Sequence, residues 1–243
     1  MKSWMKQTPE PASSALPGRS NWLEPLLIAA AALATVTSTL GLLTLHFIFK
    51  PLTMLLAIVF VAGRATKAGT VLRFDVLLMA ALAASLAGDV FLMLPGNYFI
   101  PGLASFLVAH LFYIALFRQS VPRFPSRRAL LATLAVGGAM YAWVWGGLTD
   151  PVLKVAVAAY VTVIALMVAQ AIGRAAVQRD RSATMVALGA CIFMLSDSLI
   201  AINRFVQPLP LVSLWVLATY YLAQILIVHN ARPATRQNQS GAK

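Results

Sequence analysis

Charged side chains are scarce in this 243-residue sequence, where they make up 11% of the chain against a hydrophobic share of 60%. Soluble domains carry about 25% charged residues, so the deficit excludes an ordinary water-soluble fold. Apolar runs of about 20 residues, each long enough to cross a bilayer as a helix, fill most of the chain. Segments with the alternating hydrophobicity of a membrane β-barrel are absent. The sequence therefore predicts an all-α, polytopic membrane protein.

Cysteine occurs once, at Cys191, and histidine three times. A single cysteine excludes an intrachain disulfide and any cysteine-based metal motif. The sequence also contains neither a Gly-x-Ser-x-Gly nucleophile elbow nor a His-Glu-x-x-His zinc motif, so we expect chemistry without a metal or a cofactor. The net charge of +12 comes from basic residues scattered singly between apolar runs, which does not indicate a nucleic-acid partner. No protein partner is predicted either.

The first 22 residues are polar and rich in proline and serine, and they lack the apolar core of a signal peptide. We expect residues 1–22 and 231–243 to form disordered cytoplasmic tails. Residues 23–230 are expected to form one catalytic unit of eight transmembrane helices. The second is predicted to be short and to begin at Lys50-Pro51, because proline suits a first turn. The predicted bounds are 24–45, 50–63, 74–94, 99–118, 128–146, 151–173, 183–203 and 209–230.

Basic residues are distributed unevenly between the two sides of this predicted bundle. Sixteen of the 19 lysines and arginines fall on one side, and only Lys50, Lys154 and Arg204 fall on the other. Loops rich in lysine and arginine stay in the cytoplasm. The pattern therefore predicts a multi-pass protein of the cell (inner) membrane with both termini cytoplasmic.

Two apolar segments each contain a single aspartate, Asp89 after a glycine and Asp197 after a serine. A charge at membrane depth costs at least ~2.5–3.5 kcal/mol on insertion scales and usually serves a function. The two segments belong to a short internal repeat, which indicates two four-helix halves in parallel orientation. Each aspartate is predicted about 8–9 Å from the outer end of its helix, at 1.5 Å per residue. We expect the two to face each other; pairing with a base for packing alone is the alternative.

Polar residues near these aspartates are candidates for supporting roles. Lys50 and Arg204 could pair with an aspartate or hold a phosphate, although Arg204 could also be a snorkelling interfacial arginine. His110 and Tyr113 share one face of the fourth predicted helix and could relay protons or simply pack. Further candidates for substrate contacts are Asn97, Tyr220 and Gln224. The weakest candidates are Tyr160 and Gln170, for which packing is the simpler explanation, and His46 and His229, which lie near helix ends, where an interfacial position is the simpler explanation.

Two buried carboxylates can supply one acid and one base near neutral pH, which suits protonation of an acid-labile bond and attack by water. An intramembrane aspartyl protease is one rival interpretation. Its Gly-x-Gly-Asp motif would need glycine where Leu86 stands, and its second aspartate usually follows a tyrosine where Ser196 stands. A proton- or cation-coupled transporter with the aspartates as ligands is another, but short loops and few mid-helix glycine breaks disfavour it. A purely structural protein would leave both carboxylates unexplained.

Several motifs together resemble the YhhN family of lysoplasmalogenases. They lie in order between residues 46 and 228: Lys50-Pro51-Leu52-Thr53-Met54, Gly88-Asp89 followed by Phe91 to Leu94, Gly102 to His110 with Tyr113, and Ser196-Asp197-Ser198 with Arg204-Phe205. The resemblance implies a multi-span membrane enzyme acting on a lysophospholipid. It would hydrolyse the vinyl-ether bond of lysoplasmalogens to a fatty aldehyde and glycerophosphoethanolamine or glycerophosphocholine. The same resemblance implies functional roles for Lys50, Asp89, His110 and Asp197.

Vinyl ethers hydrolyse by proton transfer to the β-carbon, which leaves an oxocarbenium-like cation. We expect one aspartate to be the acid, and the other, ionised, to stabilise the cation and draw a proton from water. The residues leave open which aspartate has which role. Lys50 or Arg204 would hold the phosphate, and apolar helix faces would hold the alkenyl chain.

Overall fold

The computed structural model describes residues 22–67, 72–119 and 121–232, and within these ranges it contains eight α-helices and no strand. The all-α prediction and the number of helices are therefore confirmed. The predicted disordered tails fall outside the described residues, except for positions 22, 231 and 232. A short 3-10 turn, Trp145–Gly147, follows the fifth helix. The helices are α1 Leu23–Thr39, α2 Leu43–Lys67, α3 Arg73–Met93, α4 Phe99–Phe117, α5 Arg127–Val144, α6 Pro151–Gln178, α7 Arg181–Phe205 and α8 Val212–Asn230.

Seven of the described helices, α2 to α8, are long and apolar enough to cross a membrane, as expected for a polytopic membrane protein. The first is shorter, with 17 residues. At 1.5 Å per residue it measures ~26 Å, less than a hydrocarbon core of ~30 Å. It ends before a turn in which Gly41 has a φ of 71°, a left-handed conformation that glycine adopts without steric cost. The predicted end of this helix, residue 45, was therefore wrong.

The second helix is longer than predicted. It begins at Leu43, and Pro51 lies in its interior rather than in its first turn, so the predicted start at Lys50 was wrong. Membrane helices tolerate internal proline because neighbouring groups satisfy the freed backbone carbonyl. The added turns place His46 four residues before Lys50. The two side chains therefore share one face of α2.

Seven of the helices form a closed ring. In the order α1, α2, α3, α4, α6, α7, α8, each helix packs against the next, and α8 packs against α1. The helix left over, α5, lies outside this ring and packs chiefly on α6. In two equivalent halves α1 and α5 would correspond, yet only α1 is part of the ring. The ring shields from lipid the side chains that point toward its centre.

The helices α3 and α4 approach closely at two glycines. A Cβ atom on Gly88 would lie 2.6 Å from the ring of Phe106, and one on Gly102 would lie 2.7 Å from the side chain of Leu92. Small residues allow membrane helices to approach in this way. The glycine before Asp89 therefore makes room for an aromatic ring of α4, which packs directly beside the aspartate's turn.

Polar contacts tie the helices together at the end of the bundle that holds the described termini. The guanidinium of Arg64, on α2, lies 3.3 Å from the buried carboxylate of Asp75 at the start of α3. It also donates to the carbonyl of Val228, on α8, at 3.1 Å. The opposite end contains the larger opening described below.

Candidate active site

Asp89, near the end of α3, is buried and held by groups from two other helices. The ammonium of Lys50, on α2, lies 3.1 Å from its Oδ1 atom. The hydroxyl of Tyr220, on α8, donates to its Oδ2 atom at 2.7 Å. Lys50 is itself only 8% exposed and Asp89 2%, so the ion pair is largely buried. A buried ion pair of this kind is stable only when further hydrogen bonds complete it, and the tyrosine provides one.

A chain of hydrogen bonds continues behind Asp89. The amide of Gln224 donates to the Tyr220 hydroxyl at 3.4 Å, and its Oε1 atom accepts from the Tyr113 hydroxyl at 2.6 Å. All three side chains are buried. Their geometry is that of residues that fix the position of Asp89 by linking α4, α8 and α3.

Asp197 lies in the interior of α7 and has different surroundings. The hydroxyl of Tyr160, on α6, donates to its Oδ2 atom at 2.5 Å, and Nε2 of His110, on α4, lies 4.0 Å from the same oxygen. No described lysine or arginine comes within 4.0 Å of this carboxylate. Its side chain is 15% exposed, whereas that of Asp89 is 3% exposed. Asp197 is therefore the more accessible aspartate and the one without a cationic partner.

The contacts of His110 define its tautomer. Its Nδ1 atom lies 2.5 Å from the carbonyl of Phe106. A carbonyl can only accept, so Nδ1 is the donor. Nε2 has no hydrogen-bond partner among the described residues and lies toward Asp197. At 4.0 Å the two atoms are beyond hydrogen-bond distance, so the His110 imidazole lies beside Asp197 without bonding to it.

One group of aromatic side chains packs against the partners of both aspartates. Side chains of α4 pack against the tyrosine partner of each: Phe106 meets Tyr220 edge-on at 6.0 Å between ring centroids, and His110 meets Tyr160 at 5.3 Å. Measured along α3 and α7, the carboxylates lie about 6 Å and about 12 Å from the helix ends. The expected equal depth is therefore not what these helix bounds give.

A narrow apolar cavity of about 70 Å³ opens beside Asp197. Its polar lining residues are Asp197, Tyr160 and Ser198, and the others are apolar side chains and one glycine of α3 to α7. The helix outside the ring takes part, because Gly137 and Met140 of α5 line this cavity.

A larger, polar cavity of about 480 Å³ lies at the end of the bundle away from the described termini. Its polar lining residues are Ser38, His46, Lys50, Asn203, Arg204 and Ser213. It shares three wall residues with the apolar cavity, Leu92, Phe99 and Ile200, so the two spaces adjoin. Asp89 lines neither cavity and meets the polar one only through Lys50. The arrangement offers a charged compartment next to an apolar one.

Of the stronger candidates from the sequence, the structure leaves only Asn97 away from the site; among the weaker ones, Gln170 and His229 lie elsewhere, the latter 3.6 Å from Glu24. Asp197 lines the apolar cavity, and Lys50 and Arg204 line the polar one. Asn97 lies in the exposed loop between α3 and α4 and lines neither cavity. The buried residues behind the cavities are Asp89, His110, Tyr113, Tyr220 and Gln224.

Two contacts of this site were not anticipated. Tyr160 reaches Asp197 although 37 residues separate them, because α6 packs against α7. His46 lines the polar cavity because α2 begins before it. Its spacing of four residues from Lys50 was the available signal, and it required the correct start of α2. Gln170 instead binds the backbone of the loop before α5, through Pro122 and Phe124.

Comparisons with known proteins give a consistent result. The family model of the YhhN family matches residues 45–231. The human protein named lysoplasmalogenase TMEM86B is 33% identical over 155 residues, covering 64% of this chain and 63% of its own. The pig protein of that name is 34% identical over 178 residues, covering 73% and 71%. A Mycobacterium bovis protein named lysoplasmalogenase is 32% identical over 157 residues, covering 62% and 58%. The matched region thus spans less than two thirds of the human and mycobacterial relatives, and no solved structure matches.

Proposed function

Because this chain belongs to the YhhN family, we propose that it is a membrane enzyme that hydrolyses the vinyl-ether bond of lysoplasmalogens. The products are a fatty aldehyde and glycerophosphoethanolamine or glycerophosphocholine. Relatives named lysoplasmalogenase support the reaction class. The observation that carries the proposal is that an apolar cavity containing Asp197 adjoins a polar cavity containing Lys50 and Arg204. A lipid with one chain and one charged head group matches both.

Asp197 is the acid in this mechanism. It faces the space that takes the alkenyl chain, and an ionised carboxylate without a cation is costly to bury, so the carboxyl can carry a proton. Transfer of that proton to the β-carbon consumes the C=C π bond and leaves an oxocarbenium cation, which the new carboxylate stabilises. Water then bonds to the cationic carbon and loses a proton to Asp197. The resulting hemiacetal collapses to the aldehyde and the glycerol hydroxyl.

Tyr160 and His110 are positioning residues for this acid. The tyrosine hydroxyl fixes one carboxyl oxygen, and a small movement that closes the 4.0 Å gap between Nε2 and Oδ2 would let the imidazole accept or return a proton. Neither transfer needs bulk water in the apolar cavity. Only the water that hydrolyses the cation has to enter, and the adjoining polar cavity provides its route.

Asp89 has a positioning role in the proposal, which differs from the expectation of two aspartates in contact with substrate. Its ion pair holds the Lys50 ammonium against the polar cavity, at 3.1 Å from the carboxylate. Tyr220, Gln224 and Tyr113 fix the aspartate from behind.

We also propose the orientation. All eight helices cross the cell (inner) membrane, both termini are cytoplasmic, and the polar cavity faces outward. The excess of lysine and arginine in the loops on the side of the termini supports this assignment. The short α1 crosses where the bilayer thins locally to match it. Lipid would enter from the outer leaflet, with its head group at the polar cavity.

The test is aldehyde release by purified full-length protein supplied with 1-alkenyl lysophospholipids carrying ethanolamine or choline. We expect aldehyde from the wild type and none above background from Asp197→Asn that retains the wild-type melting temperature. The matched control substrate is the 1-alkyl lysophospholipid, whose saturated ether has no double bond to protonate. Folded wild-type protein that releases no aldehyde from either head group would contradict the proposal and favour solute transport instead.

A further inference from the structure

We infer that the polar cavity is a recognition site for a glycerophosphodiester, in which Arg204 and Lys50 bind the phosphate and His46 accepts a hydroxyl. The inference deepens the proposed function by assigning the groups that hold the substrate's head. It rests on that function for the orientation of the lipid in the site. The match between this cavity and a phosphodiester rests on the charges and hydrogen-bond donors of the cavity's own residues.

Arg204 provides the cavity with an uncompensated positive charge. Its guanidinium lies 4.1 Å from the centre of the Phe99 ring and 5.9 Å from that of Phe205. No described carboxylate comes within 4.0 Å of it. A guanidinium that packs on a ring keeps its N–H donors available, and its planar fork suits two-point binding of phosphate. Phe99 also forms part of the wall between the cavities, so the phosphate would lie near the boundary.

Lys50 completes the phosphate site from the buried end of the cavity. Its ammonium has three donors, and Asp89 takes one of them at 3.1 Å, so others are available to a ligand. The Lys50–Asp89 pair has no net charge, and Arg204 therefore sets the formal charge of the cavity at +1. A phosphodiester carries a single negative charge and neutralises it.

His46 supplies an acceptor, which a phosphate alone does not need. Its Nδ1 atom lies 3.2 Å from the carbonyl of Ala34, on α1, so Nδ1 donates there. Nε2 of the neutral ring then offers a lone pair to the cavity that the side chain lines. A lysophospholipid carries a free glycerol hydroxyl that can donate to it, and a lipid with two chains does not. His46 therefore selects for the lyso form of the lipid.

The size of the cavity agrees with this ligand. Its 480 Å³ lies within the range of about 300–1,000 Å³ found for small-molecule sites. The shared wall of Leu92, Phe99 and Ile200 then leads from the glycerol to the apolar cavity. A chain attached at the glycerol oxygen would enter beside Asp197. The head-group site thus places the vinyl ether at the acid.

The experiment measures binding without turnover. Full-length protein, purified in a maltoside detergent free of phosphate groups, is titrated with glycerophosphoethanolamine or with inorganic phosphate and followed by 31P line broadening. We expect glycerophosphoethanolamine to bind, and Arg204→Gln to weaken it at least tenfold. The control is Lys154→Gln, because Lys154 also stacks on an aromatic ring, at 4.3 Å from Trp145, but lines neither cavity. We expect His46→Ala to weaken the binding of glycerophosphoethanolamine and to leave the binding of inorganic phosphate unchanged.

Each outcome decides one proposal. No binding by the wild type, or equal binding by wild type and Arg204→Gln, would overturn the phosphate site even if aldehyde release persists. The role of His46 would be overturned if His46→Ala bound glycerophosphoethanolamine as tightly as the wild type does, and if the wild type bound inorganic phosphate equally tightly. Binding that behaves as expected in a protein that releases no aldehyde would leave the site standing and contradict the hydrolase function.

Discussion

Asp89 and Asp197 are the same residue type at membrane depth, yet their neighbours give them different chemistry. Asp89 is closed in by an ammonium and a tyrosine, and Asp197 faces an apolar space with a tyrosine and an imidazole beside it. An ion pair fixes a charge in place, whereas an unpaired carboxyl next to substrate can exchange a proton. Mutation of the two should therefore have distinguishable consequences.

We predict that Asp197→Asn lowers kcat for aldehyde release by about 10²–10⁴-fold, the usual contribution of a general acid, with little change in KM. Asp89→Asn instead leaves Lys50 buried without a partner, which typically costs about 3–5 kcal/mol of stability. We expect a lower melting temperature and a higher KM for that variant. Kinetics and thermal unfolding of the same purified samples provide the readouts.

The double variant Asp89→Asn/Lys50→Met is the matched control for the ion pair. Removing both charges should restore part of the lost melting temperature, because no uncompensated charge remains. It should not restore KM, since the cavity still lacks its lysine. Wild-type kcat in Asp197→Asn, or a loss of kcat alone in Asp89→Asn, would contradict the assignment of roles.

The aspartates could be predicted from the sequence because a carboxylate inside an apolar run is costly, and that cost is visible residue by residue. Their partners could not be predicted in the same way. Tyr160 and Tyr220 are ordinary residues of membrane helices until the packing of α6 on α7 and of α8 near α3 gives each a carboxylate. Which tyrosine meets which aspartate depends on helix rotation, and hydropathy does not encode it.

At the scale of helices, the hydropathy of the sequence located all eight helices but not the boundary between α1 and α2. The break between α1 and α2 contains no charged residue and no proline; its only signal is the Thr-Ser-Thr-Leu-Gly run that ends at Gly41, which the hydropathy pattern does not resolve. Pro51 was misleading because proline breaks helices in water-soluble proteins but is tolerated inside membrane helices. The consequence for the site was the missed turn of α2 that carries His46.

Close packing of α3 on α4 predicts that Gly88→Ala is harmful. The added methyl would lie 2.6 Å from the Phe106 ring, and overpacking of this kind costs about 1–3 kcal/mol. We expect a lower melting temperature and reduced aldehyde release, because the displaced ring packs against Tyr220. The control is Gly138→Ala in α5, where no atom lies within 4 Å of the new methyl. Equal melting temperatures for the two variants would refute this account of the glycine.

The helix outside the ring is predicted to set chain-length preference. Met140, on α5, lines the apolar cavity, so Met140→Trp should fill its far end and shift the preferred substrate toward shorter alkenyl chains. Val136→Trp is the control, because Val136 is on the same helix but 59% exposed. The measurement is kcat/KM across alkenyl chains of increasing length. An unchanged profile for Met140→Trp would show that the chain does not reach α5.

At the scale of the whole molecule, the ring of helices separates two ends of unlike character. One end carries the described termini and the Arg64 ties, and the other carries the polar cavity. Seven long helices alone would place the two termini on opposite sides, so the common location of the termini depends on α1 crossing as well. Finding both termini on the same side of the membrane would therefore show that the short helix α1 also crosses it.

We predict that an impermeant maleimide applied to intact cells labels Asn97→Cys and spares Arg123→Cys, both in a Cys191→Ala background. Both positions are exposed, and they lie in the loops at either end of α4, so they report opposite sides of the membrane. Permeabilised cells, in which both should react, are the control for accessibility. The reverse pattern would place the polar cavity in the cytoplasm.

The apolar cavity between α4, α6 and α7, completed by α5, presents to a lipid tail no polar group beyond Asp197, Tyr160 and Ser198 that could recognise its identity. Any amphiphile with a single alkyl tail meets the same walls, including the detergents used to extract the protein. Micelles would therefore act as competitive inhibitors, and apparent KM values should rise with detergent concentration. Transfer into lipid nanodiscs would relieve that inhibition, so the choice of solubilising agent becomes a variable of the enzymology itself.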